Sequence, residues 1–213
     1  MPSDFLSSHI TLRPATPADA AQAAPLIYGA GPVLYDRLFG PTDAEAIAFF
    51  ETLFALPGSI FSFENAVVAE RNGRVVGLAH AVQAAQYHRG NALPRQMLRR
   101  GPLFLLRLLP VVFALSRSTK PPPPDALYLG LLSVAPDLRG LGIGTQLLED
   151  VHRRAAEAKC ACVCLHAELG NTGARRLYAR QGYTVIAEYP TPRAARWGVT
   201  GFVGMRREIR AGE

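Results

Sequence analysis

Arg139-Gly140-Leu141-Gly142-Ile143-Gly144 follows the apolar run Leu127–Val134 and leads into an amphipathic segment. Few features constrain a fold more. A buried strand must pass through a loop with three glycines in six residues and then start a helix. Without a Cβ, glycine lets several backbone N–H groups converge on one anion, and the helix N-terminus adds partial positive charge. The expected ligand carries phosphate. The spacing differs from the Gly-x-Gly-x-x-Gly of dinucleotide folds, and the Gly-Lys-Ser/Thr ending of a P-loop is missing.

At 213 residues and 49% hydrophobic, the chain suffices for one good core, so a single domain over residues 1–213 is expected. The formal charge is +6, but Arg and Lys are scattered and no run of five basic residues occurs, which argues against a nucleic-acid partner. Cys160, Cys162 and Cys164 alternate in one strand-like run, which places all three on one face as small buried hydrophobes. They lack the spacing of a metal site, so no metal is expected. The N-terminus shows no basic region followed by an apolar core. Leu103–Leu115, about thirteen residues interrupted by Arg107 and Pro110, is too short for a bilayer span of about twenty. No transmembrane segment and a cytoplasmic location are therefore expected.

Ile10–Pro14 reads as a first strand. Thr16 caps an alanine-rich helix with Pro17 at its first position. Ile47, Phe50 and Phe54 give Asp43–Phe54 a helical face. Asn65–Arg71, the Asn72-Gly73 turn and Arg74–Val82 form a hairpin. Residues 86–125 interrupt this order with an apolar helical piece, expected to be buried somewhere, and Pro121–Pro124, a stiff extended connector. Strand Leu127–Val134, the glycine loop, helix Thr145–Lys159 and strand Ala161–Ala167 form a strand–helix–strand unit. A short helix, Asn171–Arg180, ends at Gly182, and strands Tyr183–Tyr189 and Phe202–Arg206 close a mixed α/β sheet.

Two further stretches narrow the ligand. Ser133-Val134-Ala135-Pro136-Asp137-Leu138-Arg139 carries the strand end into the loop, and Asn171-Thr172-Gly173-Ala174-Arg175-Arg176-Leu177-Tyr178 precedes Gln181-Gly182-Tyr183. Together they resemble the GCN5-related N-acetyltransferase (GNAT) superfamily. Arg139, Gly142 and Gly144 match its Gln/Arg-x-x-Gly-x-Gly/Ala loop. Asn171, Ala174, Leu177, Tyr178, Gly182 and Tyr183 match its Asn-x-x-Ala-x-x-Leu-Tyr-x-x-x-Gly-Phe/Tyr signature. The likeness is strong over about residues 127–185.

The resemblance implies the acyl-CoA N-acyltransferase fold: a central mixed, mostly antiparallel sheet flanked by helices, here with a helical insert. It implies an acetyl-CoA-dependent N-acetyltransferase acting on a primary amine of a small molecule, a protein N-terminus or a lysine. The backbone of Arg139, Gly140, Leu141, Gly142, Ile143, Gly144 and Thr145 would receive the pyrophosphate of coenzyme A. The strand before the loop would splay from its neighbour at a bulge. Leu132 and Val134 match the positions whose backbone holds the pantetheine arm, and Asn171 matches a cofactor contact. Tyr178 matches the tyrosine that protonates the departing thiolate.

Many relatives place a glutamate on the strand before the loop, whereas Leu127–Val134 holds no carboxylate. In the ribosomal-protein alanine acetyltransferases a base stands five residues before the signature asparagine, which corresponds to His166. Glu168 is the second candidate; His80 and His88 are more distant ones. Tyr28, Tyr35 and Asp36 either line an amine pocket or pack a helix pair. The insert is expected to be a lid, a homodimer contact or a membrane-docking surface, in that order. A non-catalytic acyl-CoA sensor is the alternative to an enzyme.

Overall fold

The computed structural model describes residues 9–39, 42–58, 61–88, 101, 106, 109 and 119–209. Seven strands form one sheet in the order β1-β2-β3-β4-β5-β7-β6. The strands are β1 (Thr11–Pro14), β2 (Ala66–Arg71), β3 (Arg74–Gln83), β4 (Ala126–Val134), β5 (Cys162–Glu168), β6 (Thr184–Pro190) and β7 (Gly201–Glu208). Every neighbouring pair is antiparallel except β4 and β5, which run parallel. A parallel pair requires a crossover helix, and α5 (Ile143–Glu157) supplies it. The mixed, mostly antiparallel sheet matches the sequence expectation.

The helices divide between the two faces. Helix α5 and α6 (Thr172–Arg180) cover one face, where Leu147, Leu148, Val151 and Ala155 pack with Leu129, Val163, Leu165 and Met205. Helices α1 (Ala20–Tyr28), α2 (Pro32–Phe39) and α3 (Asp43–Ala55) cover the other, where Ile27, Phe50, Leu53 and Phe54 pack on Val68, Leu78 and Leu131. Arg13 ties the first strand to its surroundings, bonding Asp19 at 2.7 Å and Glu70 at 2.7 Å. The guanidinium lowers the Asp19 carboxyl to about 2.

Several boundaries differ from the sequence reading. Pro17–Asp19 form a 3-10 turn and α1 starts at Ala20, because Asp19 accepts bonds from the Thr16 N–H (2.8 Å) and hydroxyl (3.0 Å). Helix α5 starts at Ile143 rather than Thr145, since Gly142 at φ 84° already supplies its N-cap. Three helices are absent from the sequence reading, α2, the short α4 (Ala84–His88) and the short α7 (Pro192–Ala195). The cysteines do not share one face. Lys159 turns the chain at φ 53° and β5 begins only at Cys162, so Cys160 packs toward the α5 side. Cys162 and Cys164 lie on the other side, their sulfurs 3.7 Å apart.

Most of the insert lies outside the described residues, including nearly all of Leu103–Leu115. Leu106 and Leu109 are helical and 64% and 61% exposed. Helix α4 (Ala84–His88) leads into the insert, and its Ala84 is packed with Cys162, Cys164 and Tyr128, on the face opposite α5. Pro121–Pro123 have no regular structure and Pro124-Asp125 turn into β4, in keeping with a connector. Among the described residues, no helix is long and apolar enough to cross a membrane.

Candidate active site

The centre of the sheet is open along part of its length. Strands β4 and β5 pair only from Ala126↔Cys162 to Leu129↔Leu165. Beyond that rung β4 continues on β3, from His80↔Leu131 to Gly77↔Val134, and β5 continues on β7, from His166↔Gly204 to Glu168↔Phe202. The register shifts between His80 and Ala81, so Gly130 is the unpaired bulge residue on β4. Residues 130–134 and 166–168 each keep one backbone edge without a partner strand. That edge offers donors and acceptors to an extended ligand. Leu132 and Val134 lie on this free stretch.

The glycine loop closes one end of the opening, and its glycines serve two purposes. Gly140 (φ 83°) and Gly142 (φ 84°) adopt left-handed backbone, and a Cβ on either would meet nothing within 4 Å. The space beside them is open to a ligand. At Gly144 a Cβ would stand 3.2 Å from Leu177 Cδ2, so this glycine lets α5 and α6 approach each other. The Gln146 N–H donates to the Gly142 carbonyl at 3.1 Å. The N–H groups of Ile143, Gly144 and Thr145 come before the first N–H bonded within the helix, that of Gln146, and stand at the dipole's positive end. Arg139 folds back, its Nε donating to the Val134 carbonyl at 3.2 Å, and Leu141 stands 62% exposed at the loop tip.

Asn171 caps α6, its Oδ1 accepting from the Ala174 N–H at 3.1 Å. Tyr178, one face of α6 later, is buried beside Tyr183, with ring centroids 5.7 Å apart. Among the described residues its hydroxyl has no hydrogen-bond partner. Burial raises its pKa well above 10. A phenol so placed keeps its proton at neutral pH and can stand as a hydrogen-bond donor to a thiolate.

His166 and Glu168 belong to the opposite face of β5 from Leu165 and Ala167, which pack with Tyr178. The His166 Nδ1 lies 3.2 Å from the Tyr128 hydroxyl, and its ring meets the edge of Tyr189 at 5.6 Å. Partial burial lowers the His166 pKa below 6.5 and raises that of Glu168 above 4.5. The two shifts favour a neutral imidazole and hinder ionisation of the carboxyl. Tyr35 is close enough for Glu168 to act on it electrostatically.

The remaining candidates have other surroundings. His80 is 2% exposed against Phe54 (5.7 Å) and Phe61 (6.2 Å), and desolvation lowers its pKa to about 4. The side chain of His88 lies outside the described residues. Tyr28 donates to Asp36 Oδ1 at 2.7 Å, clasping α1 to α2, while Tyr35 stacks edge-on to Phe50 at 4.6 Å. These three residues pack the helix pair. The clasp also brings α2 toward the loop after α7, where Val33 Cγ1 would be 3.5 Å from a Cβ on Gly198. Tyr128 and Tyr189 were missed in the sequence reading. Tyr128 was visible as an alternate residue of β4, but its partner on β5 depended on the register.

The family model for the acetyltransferase (GNAT) family matches residues 39–183. The chain belongs to the GNAT family. Solved structures agree on the GNAT fold. A structure described as an acetyltransferase is 22% identical at a TM-score of 0.71, covering 94% of this chain and 100% of its own. An N-acetyltransferase from Staphylococcus aureus Mu50 is 16% identical at a TM-score of 0.69, covering 92% and 100%. The Salmonella typhimurium protein yncA, solved with its cofactor acetyl-CoA, is 19% identical at a TM-score of 0.55, covering 95% of each chain. No curated protein matches the chain by sequence. The splayed strands, the glycine loop and the buried Tyr178 all fall within the part of the chain that the GNAT model matches.

Proposed function

We propose that this chain transfers the acetyl group of acetyl-CoA to a primary amine of a small molecule, a protein N-terminus or a lysine. One observation carries this reading: the opening between β4 and β5 joins two unlike faces of the sheet. The glycine loop and Tyr178 stand on one face, and His166 and Glu168 on the other. The pyrophosphate binds the N–H groups between Arg139 and Thr145, and the pantetheine arm adds to the free edge of β4 at Leu132 and Val134. Asn171 contacts the same substrate through its amide. The thioester then lies in the opening, within reach of both faces.

His166 takes a proton from the ammonium form of the acceptor, with Glu168 as the second candidate. The amine lone pair attacks the thioester carbonyl carbon, and the carbonyl oxygen gains the charge, held by β4 backbone N–H groups. Collapse expels the thiolate, which takes a proton from Tyr178, and the second proton of the cationic amine nitrogen passes through water to restore the phenol, so that one net proton leaves on His166. The test is thiol release from acetyl-CoA across a panel of amines and peptides. Amine-dependent release supports the reading. Saturable acetyl-CoA binding without release on any acceptor supports the sensor instead, which Gly130 favours by leaving the exposed bulge of β4 without a carboxylate.

A further inference from the structure

We propose that Tyr128 is a positioning residue that holds His166 in the tautomer with its proton on Nδ1, leaving Nε2 as the free base. This rests on the reading of His166 given above, and it follows from where the two side chains meet. Tyr128 pairs with Cys164 one rung before the parallel ladder ends, and His166 is the first residue of β5 beyond the last rung. Their contact, Oη to Nδ1 at 3.2 Å with ring planes inclined by 55°, therefore bridges the two strands where they part.

The imidazole is held on its other side as well. It lies opposite Gly204 of β7, where a Cβ would stand 3.6 Å from His166 Cδ2 and 3.2 Å from Tyr189 Cε2. The bare position lets the Tyr189 ring close over the histidine at 5.6 Å. Two tyrosines from β4 and β6 thus clamp one histidine, but the hydrogen bond belongs to Tyr128.

A neutral imidazole carries one N–H and one lone pair, so the role of Nδ1 decides that of Nε2. If the phenol donates to Nδ1, the free nitrogen is already protonated and cannot accept a proton from an amine. If Nδ1–H donates to the phenol oxygen, Nε2 is the acceptor. The same bond then persists when the proton arrives and strengthens as the ring becomes charged. The proton moves from the acceptor nitrogen to Nε2, the amine keeps its lone pair for attack, and Tyr128 neither gains nor loses a proton. The titratable or charged groups around the ring are Tyr128 on β4, Tyr189 on β6, Cys164 and Glu168 on β5, and Arg206 two rungs away on β7 opposite Cys164.

The experiment is 15N NMR of the full chain labelled at histidine, with His166 assigned by comparison with His166→Ala. The expected wild-type spectrum has the proton on Nδ1 above the titration midpoint. In Tyr128→Phe the tautomer shifts toward Nε2–H, and the midpoint falls by about half a pH unit or more, because the imidazolium loses an acceptor. Tyr189→Phe, which keeps the ring, leaves both readings in place. In an acetylation assay, Tyr128→Phe moves the acidic limb of kcat the same way and lowers kcat about three- to tenfold, with little change in KM for acetyl-CoA. A wild-type Nε2–H tautomer, a midpoint that rises in Tyr128→Phe, or an equal response in Tyr189→Phe overturns the proposal. The NMR readings need no turnover. Normal turnover in His166→Ala beside the expected spectra would therefore remove the base assignment and leave the tyrosine contact standing.

Discussion

The two faces of β5 are built from different materials. Toward α5 and α6 it presents Val163, Leu165 and Ala167, and the chemistry there comes from backbone N–H groups and one buried phenol. Toward α1–α3 it presents Cys162, Cys164, His166 and Glu168, and the chemistry comes from side chains that titrate. The first face suits a ligand that is always the same, since peptide groups do not vary with sequence. The second suits an acceptor that differs among relatives. On the proposed function, donor binding falls to one face and proton handling to the other.

Loss of both candidate bases is the strongest way to break that division. Combining His166→Ala with Glu168→Gln is expected to lower kcat by about 10³ while KM for acetyl-CoA barely moves. Steady-state kinetics with each substrate varied in turn checks it, and a large rise in KM for acetyl-CoA would contradict the separation of faces. In the wild type, kcat should rise with pH through a limb below pH 6.5, because burial lowers the His166 pKa. Tyr178→Phe attacks the donor face. It should reduce kcat about 10²-fold and leave the acidic limb where it was, since the phenol serves the leaving thiolate and stays protonated. A displaced limb would place Tyr178 in the handling of the amine proton.

His80 sharpens the comparison from the same side of the sheet, where it packs against Phe54 and Phe61 while His166 is the proposed base. Its folded pKa of about 4 lies below the unfolded value near 6.5, so its contribution to stability is present above pH 6.5 and lost as pH falls through 4. About 2 kcal/mol should disappear between pH 7 and pH 5, and His80→Leu should flatten that part of the profile in denaturant melts. The smallest effect is expected at the loop. Gly142→Ala forces a side chain into left-handed backbone at a cost of about 1–2 kcal/mol, seen as a roughly tenfold or smaller rise in KM for acetyl-CoA with kcat nearly unchanged.

The same division explains what could be read in advance. The donor face comes from one continuous stretch, Leu127 to Tyr183, where strand, loop and helix start follow one another and the glycines mark the turn. The acceptor face draws Tyr128, His166 and Tyr189 from three strands, and only the strand register brings them together. Helix α2 was not anticipated because Tyr28–Gly40 holds three glycines and a proline, yet Pro32 is well suited to a first helical turn and Tyr35 and Phe39 find aromatic partners on α3. Cys160 was misplaced for a related reason. Alternation predicts a shared face only inside a strand, and β5 begins two residues later.

The parting of β4 and β5 places an open edge in the middle of a sheet rather than at its border. Unpaired strands usually invite other chains to add to them, and proteins guard against this at their rims with charge, proline or bulges. Here the exposed backbone lies between two strands of the same sheet, where an extended, flexible guest can pair with it. The sheet thus carries its receptive edge at its centre, flanked by its own strands.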